Sequence, residues 1–345
     1  AIPGGYWRRP SSGPGPEGRL VRVLERAWGQ VVGVYHHRRG YGSVVPQEPP
    51  LPADIFVPAA ERGDAVEGDI VLVRIAEWGK SELRPVGAVA SVLGRPGDPG
   101  IDVLSIILGQ QLPIEFPPAV VREAEKVARR GIRPEDLQGR EDFRDTPCFT
   151  IDPADAKDHD DALSVRRTTN GLEIGVHIAD VSWYVKEGSG LDREALERGT
   201  SVYLVDRVIP MLPEALSSDL CSLVPGQDRL TLSVVLDFDP ALELRKRRIV
   251  RGVIRSDQRL AYEDAQDLLD GVKDPASVTV LPALRDLSAV AARVRKGRGE
   301  AGAVDFAIPE AKVILDEDGE PVEIRARERL EAHRIIEDLM ILANE

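Results

Sequence analysis

The chain has 345 residues, 58 of them acidic, a formal net charge of −13 and a hydrophobic content of 42%. That length exceeds what one core organises, so two or three domains are expected, with enough apolar side chains to fill them. No run of about eighteen apolar residues and no charged-then-apolar leader pattern occurs, which excludes a spanning helix, gives no sign of secretion and makes the cytoplasm the expected compartment.

The acidic balance alone argues against a nucleic-acid binder, but its distribution argues otherwise. Residues 1–45 carry seven arginines (8, 9, 19, 22, 26, 38 and 39) against Glu17 and Glu25, a net +5 at one end of an acidic chain. Such asymmetry suits one module that holds a polyanion and another that does chemistry on it. Cys148 and Cys221 lie among apolar residues without C-x-x-C spacing and read as buried free thiols of a reducing compartment. The five histidines show no ligand spacing with them, which argues against zinc.

In chain order, residues 4–18 are rich in Gly, Pro and Ser and read as a linker. Strand-like runs follow at 19–25, 31–35, 41–45, 55–57 and 69–75, separated by turn residues. This spacing suits a small closed sheet of the OB type. Across its first hairpin, Tyr35 and Tyr41 are placed to stack on bases and Arg38 and Arg39 to meet phosphates, as single strands are held without sequence readout. Tyrosines packed on a barrel edge beside solvated arginines are the plain alternative. Residues 86–114 read as a connector with a short strand at 86–93. The spacing of Val120, Val121, Ala124, Val127 and Ala128 predicts a helix over 117–130, with proline at its start and arginines at its end.

The stretch Cys148 to Ala162 reads C-F-T-I-D-P-A-D-A-K-D-H-D-D-A and sets Asp152, Asp158, Asp160 and Asp161 just after a short apolar run. Carboxylates this dense repel one another and are tolerated only if solvated, partly protonated or neutralised by cations. The spacing D-x5-D-x-D-D lets a turn fold the later aspartates back to the first, making an oxygen nest suited to hard ions such as Mg2+ or Mn2+. A solvated acidic turn is the alternative. Against it, the apolar residues on both sides return the backbone to the core at once.

Beyond the cluster, 172–178 alternates as a strand that Asp180 ends, and 192–198 reads as a short helix. Tyr203 emerges from a β-rich run beside two prolines. Residues 230–238 and 242–256 form a hairpin pattern, and 262–269 and 283–295 read as helices.

The aspartate signature resembles that of the RNase II/RNase R (RNB) family of exoribonucleases. Three further segments follow in that family's order: V-H-I-A-D-V-S-W-Y-V from Val176, V-I-P-M-L-P-E-A-L-S-S-D-L-C-S-L from Val208, and A-H-R-I-I-E-D-L-M-I-L-A-N-E from Ala332. The wording A-K-D-H-D-D-A and I-L-A-N is closer to the RNase R branch. The resemblance implies an α+β chain, with an OB-fold, cold-shock-like β-barrel module before a mixed α/β RNB catalytic domain. It places the tail of a first cold-shock-like domain and a linker at 1–25, the RNA-binding barrel at 26–95, a connector at 96–142 and the catalytic domain at 143–345. That last domain is expected to be truncated, with its final part, the family's basic residue opposite the scissile phosphate and an S1-type barrel lying beyond Glu345.

The same resemblance implies processive, sequence-independent 3′-to-5′ hydrolysis of single-stranded RNA to nucleoside 5′-monophosphates by a monomer. Asp152, Asp158 and Asp161 are then cation ligands, directly or through water, and Asp160 the most critical group, as ligand or orienter of water. Tyr203 takes the place of a tyrosine at the RNA 3′ end, Phe306 of a base-stacking phenylalanine and Glu337 of a glutamate near the RNA path. Core roles for Tyr203 and Phe306, and a surface ion pair from Glu337 to His333 or Arg334, are the alternatives. A catalytically idle RNA-binding protein on the same fold is the competing class.

Overall fold

In the computed structural model, residues 23–79, 84–272, 280–306, 310–316, 319 and 321–345 are described. The arginines at 8, 9, 19 and 22, the linker, most of the first expected strand and the end of the Phe306 segment fall outside them. The chain forms two compact units, the first running to Ile114 and taking in Leu204–Arg207 and Ile314–Val322, the second made of the rest from Glu115 on.

The first unit is a closed five-stranded barrel: β1 (Gln30–Arg38), β2 (Tyr41–Glu48), β3 (Ile55–Pro58), β4 (Ile70–Glu77) and β5 (Val86–Gly94), in the order β1-β2-β3-β5-β4 with β4 returning to β1. Alternation drives it: Val31, Tyr35, Val44, Ile55, Val57, Val71 and Val73 fill the interior. Residues 23–25 form no strand.

Two expectations are corrected here. Tyr35 does not offer its ring to a base, because alternation along β1 turns it inward, where it is fully buried above Gly42 and leaves no room for a side chain there. Residues 86–114 are not a connector, since β5 closes the barrel and α1 (Ile101–Gly109) packs Ile101 beside Val32, Ile70 and Leu72. The helix is apolar nearly all round, so it lacks the one-sided pattern that identifies a surface helix.

The second unit opens with α2 (Pro118–Arg130) and centres on a seven-stranded mixed sheet. Its strands are β6 (Glu141–Asp142), β7 (Cys148–Asp152), β8 (Asp161–Thr168), β9 (Gly171–Ala179), β12 (Asp228–Phe238), β13 (Leu244–Arg255) and β14 (Gln258–Ala261), in the order β14-β7-β8-β9-β12-β13-β6. Between β9 and β12 lie α3 (Val181–Tyr184), α4 (Gly190–Arg198), the two-residue strands β10 (Val202–Tyr203) and β11 (Val208–Ile209), and a π-helical turn at Ala215–Leu220. After β14 come α5 (Tyr262–Asp270), α6 (Leu281–Glu300), the hairpin β15 (Ala311–Leu315) and β16 (Pro321–Ala326), and α7 (Glu331–Asn344).

Both faces of this sheet are covered. Phe149, Ile151, Leu163, Val165, Ile174, Val176, Leu236 and Phe238 pack against α5, α6 and α7. Cys148, Ala162 and Val235 pack against α2, α4 and the π turn. Fully burying each such side chain stabilises the fold by about 1.5–3 kcal/mol, which fixes the sheet register and with it the place where β7 ends and β8 begins.

One buried polar row crosses the second face. His177 is fully buried and exchanges hydrogen bonds with Ser164 Oγ at 2.8 Å and Ser233 Oγ at 2.7 Å, and Thr231 bonds Ser233 at 2.8 Å. Gly175 and Gly252 leave the space it needs, since a Cβ at either would meet this row. Burial pushes the imidazole down to about 3. The folded state therefore binds fewer protons than the unfolded chain between about pH 6.5 and 3, so this stabilisation is complete above pH 6.5 and lost as pH falls. The expected slope is up to about 1.4 kcal/mol per pH unit. Urea denaturation at pH 7 and pH 5 should show it in the wild type and not in His177→Gln; equal slopes would contradict a neutral buried His177.

Candidate active site

Asp152 is the last residue of β7 and Asp161 the first of its antiparallel neighbour β8, so the sheet itself sets two of the four aspartates. Residues 153–160 form the irregular connection that carries Asp158 and Asp160. Its backbone turns through Ala156 N–H to Pro153 C=O at 3.0 Å and is tied to β9 by Ala179 N–H to Asp160 C=O at 2.9 Å.

The four carboxylates share one neighbourhood, as their electrostatics show. Burial, then the charges of Asp160 and Asp152, push Asp161 up to about 7. Asp160 keeps part of its surface in solvent, yet local desolvation first, and then Asp158 and Asp152, hold it above the ordinary carboxylate range. Asp161 Oδ2 is buried with no hydrogen-bond partner. A carboxylate oxygen left in that state costs free energy that a cation would recover.

Two of the carboxylates have side-chain partners. His159 Nδ1 lies 2.8 Å from the buried Asp152 Oδ2. Tyr203, carried by the small β10–β11 pair and 65% exposed, donates its hydroxyl to Asp158 Oδ2 at 2.7 Å. Desolvation, then that bond and the Asp158 charge, push the phenol up to about 12. Among the described residues, no three His, Cys, Asp or Glu side chains stand close enough together to hold an ion. The donor set nonetheless fits a hard divalent cation: four crowded carboxylates, two raised in pKa, and one buried oxygen without a partner.

Tyr262 is a neighbour that sequence reasoning did not find. Its ring stacks on His333, with centroids 4.0 Å apart and planes 13° apart, and its phenol is pushed up to about 12 by burial and then by Asp161 and Asp152. The parallel pairing of β14 with β7, Ala261 beside Asp152, delivers it. A four-residue strand entering a helix leaves little pattern to read. Beside Tyr262 and His333 runs a cleft of about 290 Å³, lined also by Pro153, Ala154, Lys312, Arg325 and Arg327. An adjoining cleft of about 360 Å³ reaches Arg329 and Glu337. A further cleft of about 630 Å³, beside Asp219, Arg229 and Arg255, contains none of the four clustered aspartates.

The remaining candidates fall in different places. Phe306 is 74% exposed. Glu337 pairs neither with His333 nor with Arg334 but with Arg329 at 2.6 Å, and Arg329 also holds Asp305, next to Phe306, at 2.6 Å. His333 instead accepts from Leu330 N–H at 3.1 Å. On the barrel, Arg38 and Arg39 are exposed and Tyr41 stacks on Phe56 with centroids 5.1 Å apart.

With this geometry in hand, comparison with known proteins defines the class. An RNB domain matches residues 140–345 and a cold shock domain matches 44–117, and the chain belongs to the RNB family. Its relatives are ribonucleases R. That of Thermotoga maritima is 45% identical over 338 residues, covering 96% of this chain and 47% of the relative, and that of Escherichia coli 36% over 331 residues, covering 95% and 41%. The chain thus spans about half the length of the curated relatives it matches. Among solved structures, Mycoplasma genitalium RNase R in complex with ribose-methylated single-stranded RNA superposes with a TM-score of 0.85 at 27% identity, over 94% of this chain and 51% of that one. Yeast Ssd1, a pseudonuclease, shares the fold with a TM-score of 0.70 at 22% identity, over 92% and 40%.

The strained carboxylate predicts its own relief. Asp161→Asn should raise the urea midpoint of the protein in EDTA at pH 8, because the desolvated charge is gone, and added Mn2+ should narrow the gap by stabilising the wild type alone. A lower midpoint for the variant in EDTA would show that Asp161 is already compensated.

Proposed function

We propose that the protein carrying this chain is a 3′-to-5′ exoribonuclease that degrades single-stranded RNA processively to nucleoside 5′-monophosphates, using Mg2+ or Mn2+ held by the aspartate cluster. The observation that carries this reading is the convergence of four carboxylates on one strand junction, one buried oxygen of which has no partner.

Asp152, Asp158 and Asp161 hold the ions, directly or through water, and Asp160 contributes the charge on which hydrolysis depends most. Bound there, divalent cations supply an activated water and polarise the phosphoryl group. The chain's own groups do the rest. Tyr203 meets the 3′-terminal nucleotide beside Asp158, whose Oδ2 accepts its hydroxyl. Phe306 stacks on a base and Glu337 lines the RNA path, with Arg329 bridging Glu337 to Asp305, the residue before Phe306. Tyr41, Arg38 and Arg39 hold upstream RNA on the barrel by stacking and phosphate contact. In this reading 1–25 is the tail of a preceding cold-shock-like domain, the barrel within 26–95 with α1 packed on it the RNA-binding module, and 143–345 the catalytic domain.

The competing reading is an RNA-binding protein without activity, and the fold alone does not separate the two. The intact quartet favours the enzyme. In the full-length protein, Asp160→Asn should lower mononucleotide release from a 3′-tailed RNA by at least a hundredfold, while RNA affinity stays within about threefold. EDTA should stop the wild type and excess Mg2+ restore it. Undiminished release by Asp160→Asn, or release indifferent to EDTA, would overturn the assignment.

A further inference from the structure

The irregular loop that carries Asp158 and Asp160 between Asp152 and Asp161 should be driven apart by like charge, yet its backbone is fastened from outside. We infer that Ser222 is a positioning residue whose hydroxyl clamps the aspartate loop in the shape that binds cations. The inference rests on the nuclease reading above.

Ser222 is fully buried and follows the π-helical turn, more than sixty residues along the chain from the loop. Its Oγ accepts the His159 N–H at 3.1 Å and donates to the Lys157 C=O at 3.2 Å. One hydroxyl can do both at once, having one proton to give and lone pairs to receive. The next residue adds a third tie, Leu223 N–H to His159 C=O at 2.7 Å. The segment 157–159 is thus held at one residue's carbonyl and at both backbone groups of another.

The anchor is itself fixed. Arg229, 5% exposed, donates Nε to the Ser222 C=O at 2.7 Å and Nη2 to the Asp219 C=O at 3.1 Å, and Ser222 N–H closes the turn on Asp219 C=O at 3.0 Å. The clamp reaches three of the four carboxylates: Asp158 and Asp160 flank His159 in the chain, and the His159 ring holds Asp152. A serine that merely filled space would need none of these bonds.

Ser222→Ala leaves the His159 N–H and Lys157 C=O unpaired and lets repulsion open the loop. In the full-length protein, titration with Mn2+ in the absence of RNA should show at least tenfold weaker binding. At Mn2+ that saturates the wild type, kcat should fall at least tenfold with RNA affinity within twofold, and excess Mn2+ should recover part of it. Ser222→Thr, which keeps the hydroxyl, should bind Mn2+ within threefold of wild type. If Ser222→Ala does not fold, Ser222→Cys keeps the volume while weakening the hydrogen bonds and takes the same titration. Unchanged Mn2+ affinity and kcat in the variant, beside a wild type that binds Mn2+ and cuts RNA, overturn the clamp alone. A wild type that does neither overturns the nuclease reading beneath it.

Discussion

Repulsion among Asp152, Asp158, Asp160 and Asp161 is the constraint on which the rest of this chain depends. At 4 Å and an effective dielectric of 20, each pair of unit charges repels by about 4 kcal/mol. A free loop would answer by opening. Here the two outer aspartates sit on adjacent strands whose register is set by a core on each face of the sheet, so they cannot move apart without unpacking Phe149, Leu163 and Val176. The inner pair ride a loop tied at Asp160 to β9. Packing energy spread over the whole unit therefore holds a local arrangement that its own electrostatics oppose.

What compensates that repulsion differs between the carboxylates. Asp152 has an imidazole and Asp158 a phenol, both weaker partners than a divalent ion, while Asp161 has one oxygen without any. The unevenness follows from placement. Asp158 lies where an exposed tyrosine can reach it, whereas Asp161 has one oxygen that is buried and meets no donor. The result is a centre that is folded yet electrostatically incomplete, which is the physical content of calling it preorganised.

The parts of this architecture that repeat were legible in the sequence. Alternating valines gave the barrel, β12 and β13 emerged as a hairpin with their register left open, and α2 showed its apolar stripe. The aspartate spacing pointed to the cluster because five acids in ten positions, Asp155 among them, need a reason. What escaped depends on pairing between distant segments. The inward turn of Tyr35 is a matter of strand parity, which a one-residue shift reverses. The last barrel strand was expected at 86–93, inside the 26–95 barrel, whereas the apolar α1 carries no one-sided pattern. Tyr262 comes near the aspartates only because β14 lies parallel to β7, and Glu337 finds Arg329 across an irregular segment rather than one helical turn away.

The net charge also reads differently once partners are known. Many of the arginines are spent within the fold: Arg144 serves Asp142 and Asp228, Arg295 serves Glu331 and Asp338, and Arg167 forks onto Asp286. These pairs neutralise acid without leaving cations for a polyanion. The acidity that matters for chemistry is concentrated at one strand junction, where it would repel a phosphate unless ions were bound. On the proposed reading, cation binding and polyanion approach would be linked there, each making the other more favourable, and by linkage the effect would run equally in both directions. An acidic protein could act on an acidic polymer on those terms, because ions held by the aspartates would also present the phosphate with positive charge.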